Sequence, residues 1–273
     1  MGEPRARATP RVAAVLAAAA VLAILGVAGR QCSRSGPSAD RYGDTGMSLA
    51  EALGTGDTAG YARAYEPRPF DFPEDHGAHP EFRTEWWYFT GNLETDVGAP
   101  FGYQLTLFRS ALAPESGTLA ASRPGEEGAA ANGRNSAWAT NQVYMAHFAV
   151  TDVASERFYA FDRFARGAAG LAGAQAGPFK VWVEDWSGEA ESRALASATF
   201  PLRLRAAEGD VAIDLVLERG KPIVLNGERG LSRKGPEPGN ASHYYSLTRM
   251  PTAGSIRIGD ATHRVHGASW LDR

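Results

Sequence analysis

The sequence predicts an all-β fold, because short runs of alternating apolar and polar residues follow one another along much of its 273 residues. The alternation is clearest in residues 202–206 and 211–218, which a turn at Glu208-Gly209-Asp210 joins into a predicted hairpin with one apolar face. After residue 60 no segment shows the 3.6-residue period of a helix. These observations fit an antiparallel barrel or sandwich, and they do not choose between the two.

Residues 1–32 are predicted to form a signal sequence or a transmembrane anchor. Residues 12–28 carry no charge and follow three arginines, so the arginines should stay in the cytoplasm and the rest of the chain should lie outside it. We prefer a retained anchor helix; cleavage near Ala28 is the second alternative and lipidation of Cys32 the third. The main domain is therefore expected to be extracytoplasmic, on a membrane or secreted.

Residues 33–75 are predicted to form a linker with one short helix. The segment begins with polar, turn-forming residues. Ser48 can cap a helix whose Glu51 lies three positions later. Residues 67–73 contain three prolines, which predicts an extended approach to the β domain.

From residue 76 onward the pattern predicts a single β domain over 76–273, with a long loop rich in glycine and alanine at 112–137. Ten strands are predicted within it, at residues 84–94, 101–109, 142–151, 157–164, 179–185, 198–206, 211–218, 243–250, 255–258 and 263–265.

A run of four consecutive aromatic residues follows Glu85 and marks the strand around which the domain is organised. In an extended chain, Glu85 and Trp87 share one face, and Trp86 and Tyr88 share the other. Both faces carry large apolar area, so we expect this strand to be covered on both sides. The simpler interpretation makes Glu85 a paired carboxylate in the core; the alternative makes it the polar anchor of an apolar pocket.

Charge and composition exclude several classes of function. Residues 1–41 hold six arginines against two acidic residues, which leaves the remainder of the chain at −7 for a net charge of −3. An acidic domain argues against nucleic acid as a partner. Cys32 is the only cysteine, so an intrachain disulfide and a multi-cysteine metal site are impossible. His76 and His79 lie in a loop beside proline without a metal-binding helix pattern, and no nucleotide-binding motif occurs, so neither a metal nor a cofactor is predicted.

Five segments of the chain form recognisable motifs: residues 76–93, 136–138, 144–152, 243–246 and 267–272. They resemble the superfamily of carotenoid 1,2-hydratase (hydroxyneurosporene synthase) and AttH, whose members are lipocalin-like. The resemblance implies a lipocalin-like barrel that is the N-terminal of two such domains, with the second domain expected to be missing and the first truncated at its C-terminus.

The resemblance also implies a set of catalytic candidates. In the hydratase branch a carboxylic acid is thought to protonate an isolated carbon–carbon double bond, and the functional pattern is a His-x-Trp pair followed by a Tyr-x-Asp pair. This chain has His243-Tyr-Tyr245 and Trp270-Leu-Asp272 at those places, so both aromatic positions depart from the pattern. Asp272 is the predicted acid, His243 would orient a water molecule or take its proton, and Glu85 is the alternative acid. The simpler interpretation, which we prefer, is that His243 and Asp272 only bond neighbouring strands.

Three functions fit these observations. The preferred one is a protein that binds a lipophilic small molecule; the second is an enzyme of the hydratase or cyclase type. The third, implied by the resemblance to AttH, is an accessory subunit of an ABC transporter. The predicted ligand-binding residues are Trp86, Trp87, Tyr88, His147, Tyr245 and Trp270.

Overall fold

The structure is a computed structural model that describes residues 59–114, 140–191 and 199–273. These residues belong to one of the two units into which the chain divides, Ser48–Arg273. The anchor predicted for residues 1–32, the helix predicted near Ser48 and most of the 112–137 loop lie outside the described residues. Within the described ranges, no helix is long and apolar enough to span a membrane.

Strands account for nearly all of the regular structure in the described ranges, and one 3₁₀-helix, Glu74–His76, precedes them. In chain order the strands are β1 (Thr84–Thr95), β2 (Pro100–Ala111), β3 (Gln142–Asp152), β4 (Arg157–Arg166), β5 (Ala172–Gln175), β6 (Lys180–Val183), β7 (Trp186–Ala190), β8 (Leu202–Glu208), β9 (Val211–Leu217), β10 (Val224–Leu225), β11 (Leu231–Arg233), β12 (Ala241–His243), β13 (Tyr245–Ile258) and β14 (Ala261–Asp272).

Twelve of these strands form one antiparallel sheet, with the order β4-β3-β2-β1-β14-β13-β9-β8-β7-β6-β5 and β10 paired to β13. β11 and β12 form a separate hairpin. β6, near one end of this strand order, contacts β2, β3 and β4 near the other end. These contacts show that the sheet curls on itself. The prediction of an all-β, antiparallel, barrel-like domain is therefore confirmed.

The C-terminal strands differ from the prediction in their continuity. The predicted segments 243–250 and 255–258 belong almost entirely to one long strand, β13, and 263–265 is the middle of β14. Pro251 and Gly254 interrupt the apolar alternation, which is why the sequence suggested a break. In the structure Pro251 and Gly254 pair in register with Ala268 and Val265 of β14. The register shifts earlier in β13, between Leu247 and Met250, where Arg249 has a φ of 52°.

β1 lies between β2 and β14, so it is a central strand of the sheet. Its inward face carries Glu85, Trp87 and Phe89, all buried, whereas Trp86 and Tyr88 on the outward face are half-buried. The inward face of β1 is therefore fully covered, as expected, whereas its outward face is covered only in part. On the outside, Tyr244 packs edge-on against Trp86, with ring centroids 6.0 Å apart.

Trp87 provides the test of this central position, because its side chain is 0% exposed in the core. We expect Trp87→Ala to lower the free energy of unfolding by about 3–5 kcal/mol through lost burial and an unfilled cavity. Chemical denaturation followed by circular dichroism measures the change. Trp270→Ala is the control, since Trp270 is 41% exposed. Equal losses for the two variants would contradict the central placement of Trp87.

Candidate functional site

The segment that precedes β1 is held against the barrel by buried hydrogen bonds. The Trp87 indole donates to the carbonyl of His76 at 2.9 Å. The Tyr245 hydroxyl lies 2.7 Å from His76 Nδ1 and donates to the carbonyl of Asp75 at 3.2 Å. Burial, with help from the Arg273 charge, lowers the pKa of His76 to about 4, so its ring is neutral at physiological pH.

Glu85 is the centre of a buried charge cluster and is 4% exposed. Its carboxylate accepts hydrogen bonds from Arg109 Nε at 2.5 Å and from Arg273 Nη2 at 2.6 Å. The backbone N–H of His79 lies 2.9 and 3.0 Å from the two carboxylate oxygens. Burial alone would raise the pKa of Glu85, but Arg273, His79 and Arg109 together hold it well below its usual range. Glu85 is therefore a charged anchor at neutral pH.

His79 bridges two carboxylates. Its Nδ1 lies 2.9 Å from Glu85 Oε1, and its Nε2 lies 2.9 Å from Asp75 Oδ1. Both nitrogens can donate only when the ring is protonated, and the bonds to Asp75 and Glu85 raise the pKa of His79. Arg68 also pairs with Asp75. Burial works against ionisation of Asp75, yet the bonds from His79 and Arg68 hold its pKa well below the usual range.

A cavity of about 90 Å³ opens beside this cluster. Phe70, Phe82 and Trp86 contribute its apolar lining, and His243 and Arg273 contribute polar groups. Among the described residues, the only buried side-chain nitrogens without a hydrogen-bond partner are His243 Nδ1 and Arg273 Nε. Both belong to residues that line this cavity, which marks it as a place where a polar partner is missing.

A second hollow, the outer cleft, lies over the outward face of β1 and has a volume of about 350 Å³. Trp86, Tyr88 and Tyr244 line it, together with Asp272. Asp272 Oδ1 accepts hydrogen bonds from the Trp270 indole at 2.6 Å and from a neighbouring serine hydroxyl. Burial, and then the Asp272 charge, raises the pKa of Tyr244 to about 12. The outer cleft therefore places a carboxyl group among aromatic rings.

A third pocket, of about 530 Å³, was not anticipated from the sequence. Phe72, Phe200 and Leu247 contribute apolar walls, and Arg219 and Lys221 contribute charge. Its lining comes from segments far apart in the chain, so no local pattern could have indicated it.

The structure separates the predicted site residues into groups. Glu85, Tyr245 and His243 line the small cavity together, and Trp87 faces the interior. Asp272 lines the outer cleft instead, and only Trp86 lines both hollows. The remaining predicted residues lie at or near the outer cleft: Tyr88, His147, whose ring is 5.7 Å from that of Phe108, and Trp270.

Sequence reasoning missed the charged partners of Glu85. Arg109 carried a usable signal, because it continues the inward-facing positions of Leu105 and Leu107 and lies directly opposite Glu85 in the β1–β2 register. Arg273 carried no such signal, and neither did Asp75, which binds His79 on the side away from Glu85. The contacts of both residues depend on how the segment before β1 packs. Within the described ranges, no group of three or more His, Cys, Asp or Glu side chains could hold a metal ion.

Comparison with known proteins gives consistent results. A family profile described as AttH-like matches residues 63–273, starting before the domain boundary predicted at residue 76. A putative AttH from Nitrosomonas europaea shares 33% identity and a TM-score of 0.60, over 78% of this chain and 57% of that one. Kievitone hydratase from Nectria haematococca has 12% identity and a TM-score of 0.50, over 78% and 56%, which shows the fold alone.

The chain therefore spans just over half of the length of these two solved proteins. A search of curated protein sequences found no match.

The bridging position of His79 predicts a pH-dependent stability. Its folded pKa is raised above 6.5, so its two bonds stabilise the fold fully below pH 6.5 and are lost as the pH rises through the raised value. Asp75 and Glu85 act in the opposite sense, because their folded pKa values are lowered from 3.8 and 4.5 and their contribution is lost only in acid. The window above pH 6.5 therefore reports on His79.

We expect His79→Gln to be less stable than the wild type near pH 6 (about one half-unit below the ordinary histidine pKa) and to lose less stability as the pH rises. Urea denaturation at a series of pH values measures both effects. His266→Gln is the control, because its contacts to Glu94 and Asp96 are exposed. Parallel stability curves for His79→Gln and the wild type would contradict the bridging role.

Proposed function

The chain belongs to the AttH-like family, and from this premise we propose that it binds a lipophilic small molecule. The observation that carries the proposal is the position of Trp86, which forms a wall of both the small cavity and the outer cleft. A site with mainly apolar walls and a few fixed polar groups is the usual form of a small-molecule pocket.

The volumes and the lining support this proposal. The outer cleft, at about 350 Å³, falls in the range of roughly 300–1,000 Å³ that is typical of ligand pockets. Aromatic rings from Trp86, Tyr88 and Tyr244 offer flat apolar faces to a ligand. The small cavity adds His243 and Arg273 as polar anchors. Together they suit an elongated, mostly apolar molecule with one polar end.

The setting of this binding function remains a prediction from the sequence. An N-terminal anchor would hold the domain outside the cytoplasm, on a membrane, and a signal sequence would release it. The proposed ABC transporter partner would hand the ligand over or receive it. Mass spectrometry of organic extracts from the purified chain would identify the ligand itself.

Trp86 provides the test of the binding function. We expect Trp86→Ala to weaken binding of the extracted ligand, because the change removes an aromatic wall from both hollows. The loss of one large aromatic contact should reduce the affinity by about tenfold or more. Fluorescence titration measures the affinity. Trp182→Ala is the matched control, since Trp182 lies on β6 and contacts Lys180 and Gly170 instead. Unchanged affinity in Trp86→Ala would refute this site.

A hydratase-type activity is the second candidate, and the environment of Asp272 favours it. In such a reaction an acid delivers its proton to one carbon of a double bond, and a carbocation forms at the other carbon. Water then adds to the carbocation, and its extra proton returns to the carboxylate. The rings of Trp86, Tyr88 and Tyr244 around Asp272 would stabilise the cation by about 2 kcal/mol if desolvated.

Asp272→Asn separates the two candidates. For an enzyme we expect turnover to disappear while ligand binding persists, because the amide keeps the shape but delivers no proton. The readout is the gain of one labelled water in the ligand, by mass spectrometry in ¹⁸O-enriched buffer. Asp260→Asn, in an exposed turn, is the control. Label incorporation that persists in Asp272→Asn would rule out Asp272 as the acid.

A further inference from the structure

We propose that the small cavity beside Arg273 is a binding site for a carboxylate group, so that the ligand of this protein is a lipophilic carboxylic acid. This inference rests on the binding function proposed above and specifies the chemistry of the ligand's polar end. It follows from the charge balance of the cluster, from an unpaired buried donor and from the dimensions of the cavity.

The charge balance of the cluster is positive. Among the described residues, the arginines of the cluster are Arg68, Arg109 and Arg273, and the carboxylates that they contact are those of Asp75 and Glu85. One positive charge is therefore left without a carboxylate, and protonation of His79, which contacts both carboxylates, adds a second. Burying charge in excess is costly, because the protein interior solvates it poorly. An anion in the cavity would remove part of this cost.

Arg109 and Arg273 differ in how their donors are used. Arg109 donates to Glu85, to Gln142 and to two backbone carbonyls, so its guanidinium is well satisfied. Arg273 donates from Nη2 to Glu85 and to the Gly77 carbonyl, but its Nε is buried and has no partner within the described ranges. Arg273 is therefore the arginine that both lines the cavity and retains an unpaired buried donor.

Arg273 is also held in place before any ligand arrives. Its backbone N–H and C=O form a reciprocal pair of hydrogen bonds with Tyr245, at 2.9 and 2.8 Å. Its guanidinium lies over the Trp87 ring, 4.3 Å from the centroid. The residue as a whole is only 7% exposed. A donor that is fixed in this way binds an acceptor without a large loss of side-chain entropy.

Water is the simplest alternative occupant of the cavity. A water molecule would accept the Arg273 Nε–H hydrogen bond, but it carries no charge and leaves the positive excess uncompensated. A carboxylate provides both the acceptor and the charge, and its planar oxygens suit a guanidinium. The excess charge therefore favours a carboxylate over water or an alcohol.

The dimensions of the site indicate what is attached to the carboxylate. A volume of about 90 Å³ accommodates a small headgroup and excludes a bulky one. Phe70, Phe82 and Trp86 line the same cavity, and Trp86 continues into the outer cleft. The carboxylate would therefore carry an apolar body that lies along these rings.

A matched pair of probes tests the proposal: a dansyl-labelled undecanoic acid and its methyl ester, titrated by fluorescence against the full chain. The two probes share the apolar body and differ in the charge. We expect the acid to bind about tenfold or more tightly than the ester, as for a charge-assisted hydrogen bond. We expect Arg273→Gln to remove this preference, so that the acid and the ester bind this variant with equal affinity.

Two further variants control the experiment. Arg68→Gln changes a partly exposed cation at the edge of the cluster, and Asp75 keeps its bond to His79 in that variant. It should reduce the preference for the acid even if Arg273→Gln proves unstable. Arg264→Gln removes an exposed arginine on β14 and should change nothing.

The outcomes separate this inference from the binding function. Equal binding of acid and ester, unaffected by Arg273→Gln and Arg68→Gln, would overturn the carboxylate site while the binding function stands. Failure of both probes to bind would overturn the proposed binding of lipophilic molecules, and with it this inference. A preference for the acid that Arg264→Gln reduces equally would reflect overall charge and would also overturn the site.

Discussion

The buried carboxylate of Glu85 is the interaction on which this part of the molecule depends. It connects four separate pieces of chain: β1, which carries it; β2 through Arg109; the end of β14 through Arg273; and the segment before β1 through His79. Burying these groups costs several kcal/mol for each ion, as an order of magnitude. The mutual pairing offsets that cost, so the loss of one member leaves an uncompensated charge among apolar neighbours.

The cluster also explains why the small cavity exists. Charged side chains that are held by several hydrogen bonds have a fixed geometry, so they do not rearrange to fill a neighbouring hollow. Asp75 and Glu85 use their oxygens within the network, and Arg273 retains an unpaired donor. The same interactions that attach the segment before β1 to the barrel therefore leave a polar hollow beside Trp86.

The alternation of β1 divides the chemistry of the protein between two faces of one strand. The inward face carries a permanently charged carboxylate, and the outward face carries the aromatic cleft with Asp272. Binding needs only the hollows and their anchors, whereas hydration needs an acid that delivers a proton. Glu85 is ionised by its partners, so it is poorly suited to that role.

The sequence by itself determined the fold class, most of the strands and the central place of the strand that begins near Thr84, because these depend on local alternation and on a long motif. The alternation in β2 also held a signal for the pairing of Glu85 with Arg109, which the prediction from the sequence missed. Only the tertiary structure decided that His243 and Asp272 line different hollows, that His79 and Arg273 meet at Glu85 and that His79 also binds Asp75. The contact of Arg273 joins residues distant in sequence. The contacts of His79 depend on where a segment of irregular backbone packs, which no local pattern encodes.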